Sequence, residues 1–148
     1  MERLGEAFLA RTLVPTIKSI VYIGLSVRDA RRSADWWQQL LGMEVEKENF
    51  NQEHWPAPWN EVQLIHAEGG FQLGFIEHSQ NSGEPFSEFG TGLDHIEFEV
   101  SSYEELEQWR DRLDALGTPH SGIKDDHLIV VRDPDNIQFE FFLPASPK

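Results

Sequence analysis

Apolar residues alternate with polar or small ones through Ile20-Val21-Tyr22-Ile23-Gly24-Leu25-Ser26-Val27, and again through Leu93-Asp94-His95-Ile96-Glu97-Phe98-Glu99-Val100. Period two marks each stretch as a strand with one buried face, Ile23, Leu25 and Val27 in the first and Ile96, Phe98 and Val100 in the second. A helical pattern follows each strand at the same offset, over about 29–41 and about 102–116. Ala30, Ala34, Trp37 and Leu41 form one apolar stripe, and Leu106, Trp109, Leu113 and Leu116 the other. Asp29 and the Ser102/Glu105 capping-box pair mark the helix starts, and Gly42 and Gly117 mark the stops. Trp36 and Trp37 cannot share a helix face, so only one of them is expected in the core.

Three further strand signals follow each helix: about 43–48, 62–67 and 71–78 in the first half, and 118–122, 127–132 and 137–143 in the second. The closing strands also superpose, Phe71-Gln72-Leu73-Gly74-Phe75-Ile76 against Ile137-Gln138-Phe139-Glu140-Phe141-Phe142. Asp133-Pro134-Asp135-Asn136 is a turn. The expected unit is therefore βαβββ, present twice: an N-terminal extension over 1–18, a first module over 19–78, a linker over 79–92, and a second module with its tail over 93–148. In the extension Leu4, Phe8, Leu9 and Leu13 are spaced for an amphipathic turn or two. The fold class is α+β, two tandem modules whose curved mixed sheets form a small-molecule cup. Strand parity points Tyr22, Gly24 and Ser26, Gln72, Gly74, Ile76 and His78, His95, Glu97 and Glu99, and Gln138, Glu140 and Phe142 into that cup.

Composition narrows the chemistry. The chain has 148 residues, 39% hydrophobic and 26% charged, which suits a folded globular protein. Twelve Lys and Arg against 26 Asp and Glu give a formal charge of −14, which repels nucleic acid and anionic membranes. No cysteine is present, so thiolate ligands and thiol nucleophiles are excluded. No apolar run approaches the ~20 residues of a spanning helix and no signal-peptide pattern opens the chain, so a cytoplasmic location is the default expectation.

The stretches Tyr22 to Asp29 with Leu40-Leu41-Gly42-Met43, Gly92 to Ile96, and Arg132 to Glu140 together resemble the vicinal oxygen chelate (glyoxalase/bleomycin-resistance/dioxygenase) superfamily. The resemblance implies a homodimer and one divalent metal, Fe, Mn, Ni or Zn, held at four cup-facing positions. These positions are Tyr22, Gly74, His95 and Glu140. His95 and Glu140 are a plausible ligand pair, whereas Gly74 has no side chain and a neutral phenol at Tyr22 is a poor ligand, so the set is incomplete and a cup with no metal stays an open alternative.

Three readings stay open: a metalloenzyme of isomerase, lyase or dioxygenase type that uses His95, Glu140 and one unexpected ligand such as Tyr22; a metal-free enzyme in which His95 and Glu140, or Glu97 and Glu99, transfer protons; and a protein that sequesters a ligand without chemistry, as the bleomycin-resistance branch does. In the catalytic readings Glu140 or His95 moves a proton and Tyr22 hydrogen-bonds a developing oxyanion. A partly apolar small molecule is expected among His54, Trp55, Trp59, Gln72, His78, Glu97, Gln138 and Phe142, with the Trp- and Pro-rich stretch 51–60 as a stiff wall over the cup.

Overall fold

A computed structural model describes residues 14–53 and 57–145. The elements run β1 (Tyr22–Ser26), α1 (Ala30–Leu41), β2 (Glu44–Gln52), β3 (Trp59–His66), β4 (Phe71–His78), β5 (His95–Glu99), α2 (Tyr103–Ala115), β6 (Leu128–Arg132) and β7 (Gln138–Phe142). They form a four-stranded sheet in the order β1-β4-β3-β2 and a three-stranded sheet in the order β5-β7-β6, neither of them closed. In both, the first strand runs parallel to the last strand of its unit, Gly24 beside Gly74 and Glu97 beside Glu140.

The helix boundaries follow their caps. Asp29 accepts from the Arg32 amide at 3.0 Å, and Gly42 takes the left-handed conformation at φ 67° that a side chain resists. Ser102 accepts from the Glu105 amide at 3.1 Å, while Glu105 reaches back to the Ser101 amide at 2.7 Å. Asn136, in the β6–β7 turn, sits at φ 67°, a conformation asparagine tolerates better than most residues.

One expected strand is not formed. Residues 118–122 contribute a single bridge, His120 to Val131, in place of a fourth strand. The backbone here is diverted by side chains: His120 Nδ1 accepts from the Gly122 amide and Ser121 Oγ accepts from the Val130 amide, while Gly122 has φ 72°. One ladder bond survives, Ser121 N to Val130 O at 3.1 Å, while the Gly122 amide is spent locally and the Val130 amide on a side chain. In the other direction, β2 runs on to Gln52 and β3 begins at Trp59, so the hairpin is longer than the pattern suggested.

The helix-facing sides of both sheets share one core. Trp37 is fully buried, with ring centroids 5.9 Å from Phe75 of the first sheet and 4.4 Å from Phe139 of the second. Trp36 is half-buried and lies edge-on to Phe139 at 5.9 Å. Polar groups lock this packing, since Trp37 Nε1 donates to Asp133 at 3.0 Å and Ser33 Oγ to Asp135 at 3.0 Å. Arg28 and Arg32 also pair with Asp135. Helix α1 of the first unit is thereby fixed to the β6–β7 turn of the second. With the core on one side, the opposite faces of both sheets carry the polar residues.

Candidate functional site

On the open face of the second sheet, three side chains converge. Parallel pairing sets Glu97 beside Glu140 and His95 beside Gln138, so His95 and Glu97 on β5 and Glu140 on β7 project together. One donor atom from each lies within 4.8 Å of the others. His95 Nε2 is 3.5 Å from Glu97 Oε1 and 3.7 Å from Glu140 Oε2.

Asp94 orients the imidazole. Its carboxylate accepts from His95 Nδ1 at 2.6 Å, which places a proton on Nδ1 and directs Nε2 toward the two glutamates. Asp94 also holds His95 above the ordinary imidazole range; partial burial opposes this, and Glu140 and Glu97 reinforce it. Two carboxylates this close repel by roughly 1–4 kcal/mol at effective dielectrics between about 80 and 20. Glu140 is only 7% exposed, so it cannot turn away into water. A positive charge at this face, a proton on Nε2 or a cation among the three groups, offsets that repulsion.

The donor set fits a divalent ion. Ligands bound at about 2.0–2.2 Å lie about 3.0 Å apart at right angles and about 3.5 Å apart in a tetrahedron. The 3.5 and 3.7 Å separations here are close to the second value. One nitrogen and two carboxylate oxygens suit Mn, Fe, Ni or Zn.

The corresponding positions in the first sheet are filled differently. Where the second unit has His95, Glu97 and Glu140, the first has Tyr22, Gly24 and Gly74. The phenol of Tyr22 lies across both glycines: a Cβ on Gly74 would stand 1.8 Å from Tyr22 Oη, and one on Gly24 3.2 Å from Tyr22 Cε1. Tyr22 Oη donates to Glu61 at 2.6 Å, and the other Glu61 oxygen accepts from Gln63 at 2.8 Å and Asn49 at 3.2 Å. Burial, and then the bond to Glu61 and its charge, push the phenol well above its ordinary pKa. Its proton is committed to Glu61. The four positions implied by resemblance thus fall into two clusters, His95 with Glu140 on one sheet and Tyr22 over Gly74 on the other.

The remaining expected ligand contacts are spread along the open faces. Trp59 pairs in register with His78, and both line a cavity of about 370 Å³ with Asn60, Glu77 and Asn81. Ser26 joins His78 and Ala57 around a neighbouring cavity, and also lines a cavity of about 170 Å³ with Gly24 and His95. Gln72 lies beside Tyr22, and Phe142 sits at the far end of β7 with His127 edge-on at 5.8 Å. His54 and Trp55 lie outside the described residues. Glu97 also borders a cavity of about 420 Å³ walled by Phe71, Phe98, Trp109 and Phe141.

Sequence reading did not single out Glu61. Beginning β3 at Val62 hid it, although alternation through Glu61, Gln63 and Ile65 against Val62 and Leu64 would have set it on the polar face.

Two α/β units with parallel outer pairs, one shared core and polar open faces define the vicinal oxygen chelate class of fold. The profile of the Glyoxalase/Bleomycin resistance protein/Dioxygenase superfamily matches residues 19–141, and the chain belongs to that superfamily. Among solved structures it is similar to a glyoxylase/bleomycin resistance protein/dioxygenase domain from Frankia sp. EAN1pec, with 24% identity, TM-score 0.74, and coverage of 90% of this chain and 96% of that one. It is also similar to a glyoxalase family protein from Enterococcus faecalis, with 21% identity, TM-score 0.67, and coverage of 84% and 97%. The fosfomycin resistance protein FosX of Listeria monocytogenes, complexed with Mn(II) and sulfate, aligns at 22% identity and TM-score 0.64 over 88% and 95%. No curated protein matches the chain. Among the described residues no helix is long and apolar enough to cross a membrane.

Proposed function

We propose that this protein is a metal-dependent enzyme of small-molecule metabolism whose cation is held within the second unit by His95, Glu97 and Glu140. The observation that carries the reading is the convergence of Nε2 and two carboxylate oxygens, with Asp94 fixing the imidazole from behind. A divalent ion held there supplies Lewis-acid polarisation of a substrate oxygen. This chain's own groups then divide the remaining work. Glu140, shielded from water, ligates through Oε2 while its Oε1 is held by Gln138. The Tyr22–Glu61 pair presents a polar, hydrogen-bonded surface at the other side of the cup, and Trp59 and His78 bound the space for a partly apolar ligand. FosX, with its bound Mn(II), makes Mn the first ion to test.

The test is elemental analysis and Mn(II) titration of the purified protein beside His95→Ala. The reading expects close to one ion per chain, with affinity reduced at least tenfold in the variant. A native protein that takes up none at millimolar ion overturns it.

The filling of the first unit's ligand positions by Tyr22, Gly24 and Gly74 favours a second reading, a metal-free protein that sequesters its ligand. That reading expects stoichiometric ligand binding unchanged in Glu140→Gln, and no product.

In either case we propose a homodimer. Among the described residues the outer edges of β1 and β5 carry no strand partner, and Ile20, Val21 and Leu93 beside them are exposed by 59% or more.

A further inference from the structure

A continuous chain of hydrogen bonds leads away from Glu140. Gln138 Nε2 donates to Glu140 Oε1 at 2.9 Å, and Gln138 Oε1 accepts from Arg132 Nη2 at 2.9 Å. Arg132 stands directly across from Gln138 on β6. Its Nη2 also donates to Glu88 Oε1 at 2.7 Å, and its Nη1 to the Asn136 carbonyl at 3.0 Å. Glu88 belongs to the segment 79–92 that joins the two units. The same segment is tied to the β6–β7 turn by Phe86 N to Asp135 O at 2.8 Å and by Asn136 Nδ2 to Phe86 O at 3.0 Å.

The chemistry of each group dictates the next. A guanidinium only donates, so the amide oxygen of Gln138 must face Arg132, and its NH₂ must then face Glu140. That fixes Glu140 Oε1 and leaves Oε2 as the atom turned to His95 Nε2. Without Arg132 the amide keeps only one of its two anchors and can swing away from Glu140. A strictly local role for Gln138 would not require a partner on another strand, and Arg132 would not require Glu88.

We infer that Gln138 and Arg132 are positioning residues that hold Glu140 for single-oxygen ligation, and that Glu88 links this arrangement to the segment between the units. How that segment is seated then regulates how tightly the face holds a cation. The inference rests on His95, Glu97 and Glu140 being the cation-binding face.

The experiment compares Mn(II) affinity by calorimetry in native protein, Gln138→Met, Arg132→Met, Arg132→Lys and Glu88→Gln. Gln138→Met keeps the length of the side chain and adds no charge, but it cannot donate to Glu140. Loss of such outer groups typically weakens metal binding about 10–100-fold. Gln138→Met and Arg132→Met are expected in that range, the latter against the gain that removing a positive charge alone would give, with Arg132→Lys closer to native and Glu88→Gln a few-fold weaker. Affinities of Gln138→Met and Arg132→Met within twofold of native or tighter, in folded protein, overturn the inference, and native affinity in Glu88→Gln overturns the link to the joining segment.

A metal-free readout separates this from the parent reading: the Gln138 side-chain NH₂ signals in nitrogen-edited NMR of native and Arg132→Met protein. Two slowly exchanging protons with shifts displaced from those of a free glutamine amide in the native protein, which move to the free values and exchange faster in the variant, uphold the positioning role even if native protein binds no Mn(II). Unchanged signals overturn it.

Discussion

At the scale of single residues, His95 is the group whose state the account depends on most. Asp94 holds its pKa above the ordinary 6.5, with Glu140 and Glu97 acting in the same direction. A raised folded value means that its contribution to stability is fully present below about pH 6.5 and is lost as pH climbs through the folded value. In metal-free protein the NMR titration of His95 should therefore have its midpoint above 6.5, and Asp94→Asn should lower it. A midpoint at or below 6.5 in the native protein would contradict the assigned tautomer and partner. His95 and Glu140 were legible as a pair because the repeat sets them at matching positions in the second unit. Tyr22 and Gly74 were legible as departures from the same pattern. The relation between those two was not, since only the folded chain shows a phenol lying where any side chain at position 74 would stand.

At the scale of elements, helix α1 is where both units meet. Trp37 is an apolar residue with a polar task, its indole nitrogen donating to a buried Asp133. Burial raises the Asp133 carboxyl above its ordinary range, while the Trp37 bond and two backbone amides pull the other way. Trp37→Phe removes that donor and part of the packing against Phe139, and should cost about 2–4 kcal/mol in urea unfolding. A loss under about 0.5 kcal/mol would show that the latch to the β6–β7 turn contributes little. Both helices and their caps followed from short-range signals, Asp29, Ser102, Gly42 and Gly117, because capping is a local interaction. The strand at 118–122 failed for the converse reason: alternation is weak over five residues, and Ser121 and His120 bonded to nearby backbone instead. Asp133 and Asp135 read as turn formers, and their second role in receiving α1 depends on contacts about 100 residues apart in the chain.

At the scale of the molecule, two units of similar pattern hold one core and two unlike open faces. The second unit carries an acid-rich donor set, and the first carries a tyrosine folded over two glycines and bonded to a buried glutamate. Internal repetition made the overall architecture legible in the sequence, since each unit predicts the other. The division of labour between the faces was less so, because a strand pattern gives the side of a sheet without the reach of each side chain. Glu97, read as a ligand contact, lies with His95 and Glu140, whereas Tyr22, read as a catalytic group at the same centre, is paired with Glu61. On the proposed assignment the second unit alone holds the cation. Calorimetric titration of Mn(II) into Glu97→Gln and Tyr22→Phe, side by side with native protein, separates this from a site shared by both units. At least a tenfold loss in Glu97→Gln and native affinity in Tyr22→Phe are expected; native affinity in Glu97→Gln with a loss in Tyr22→Phe would contradict the assignment and return the site to the space between the two units.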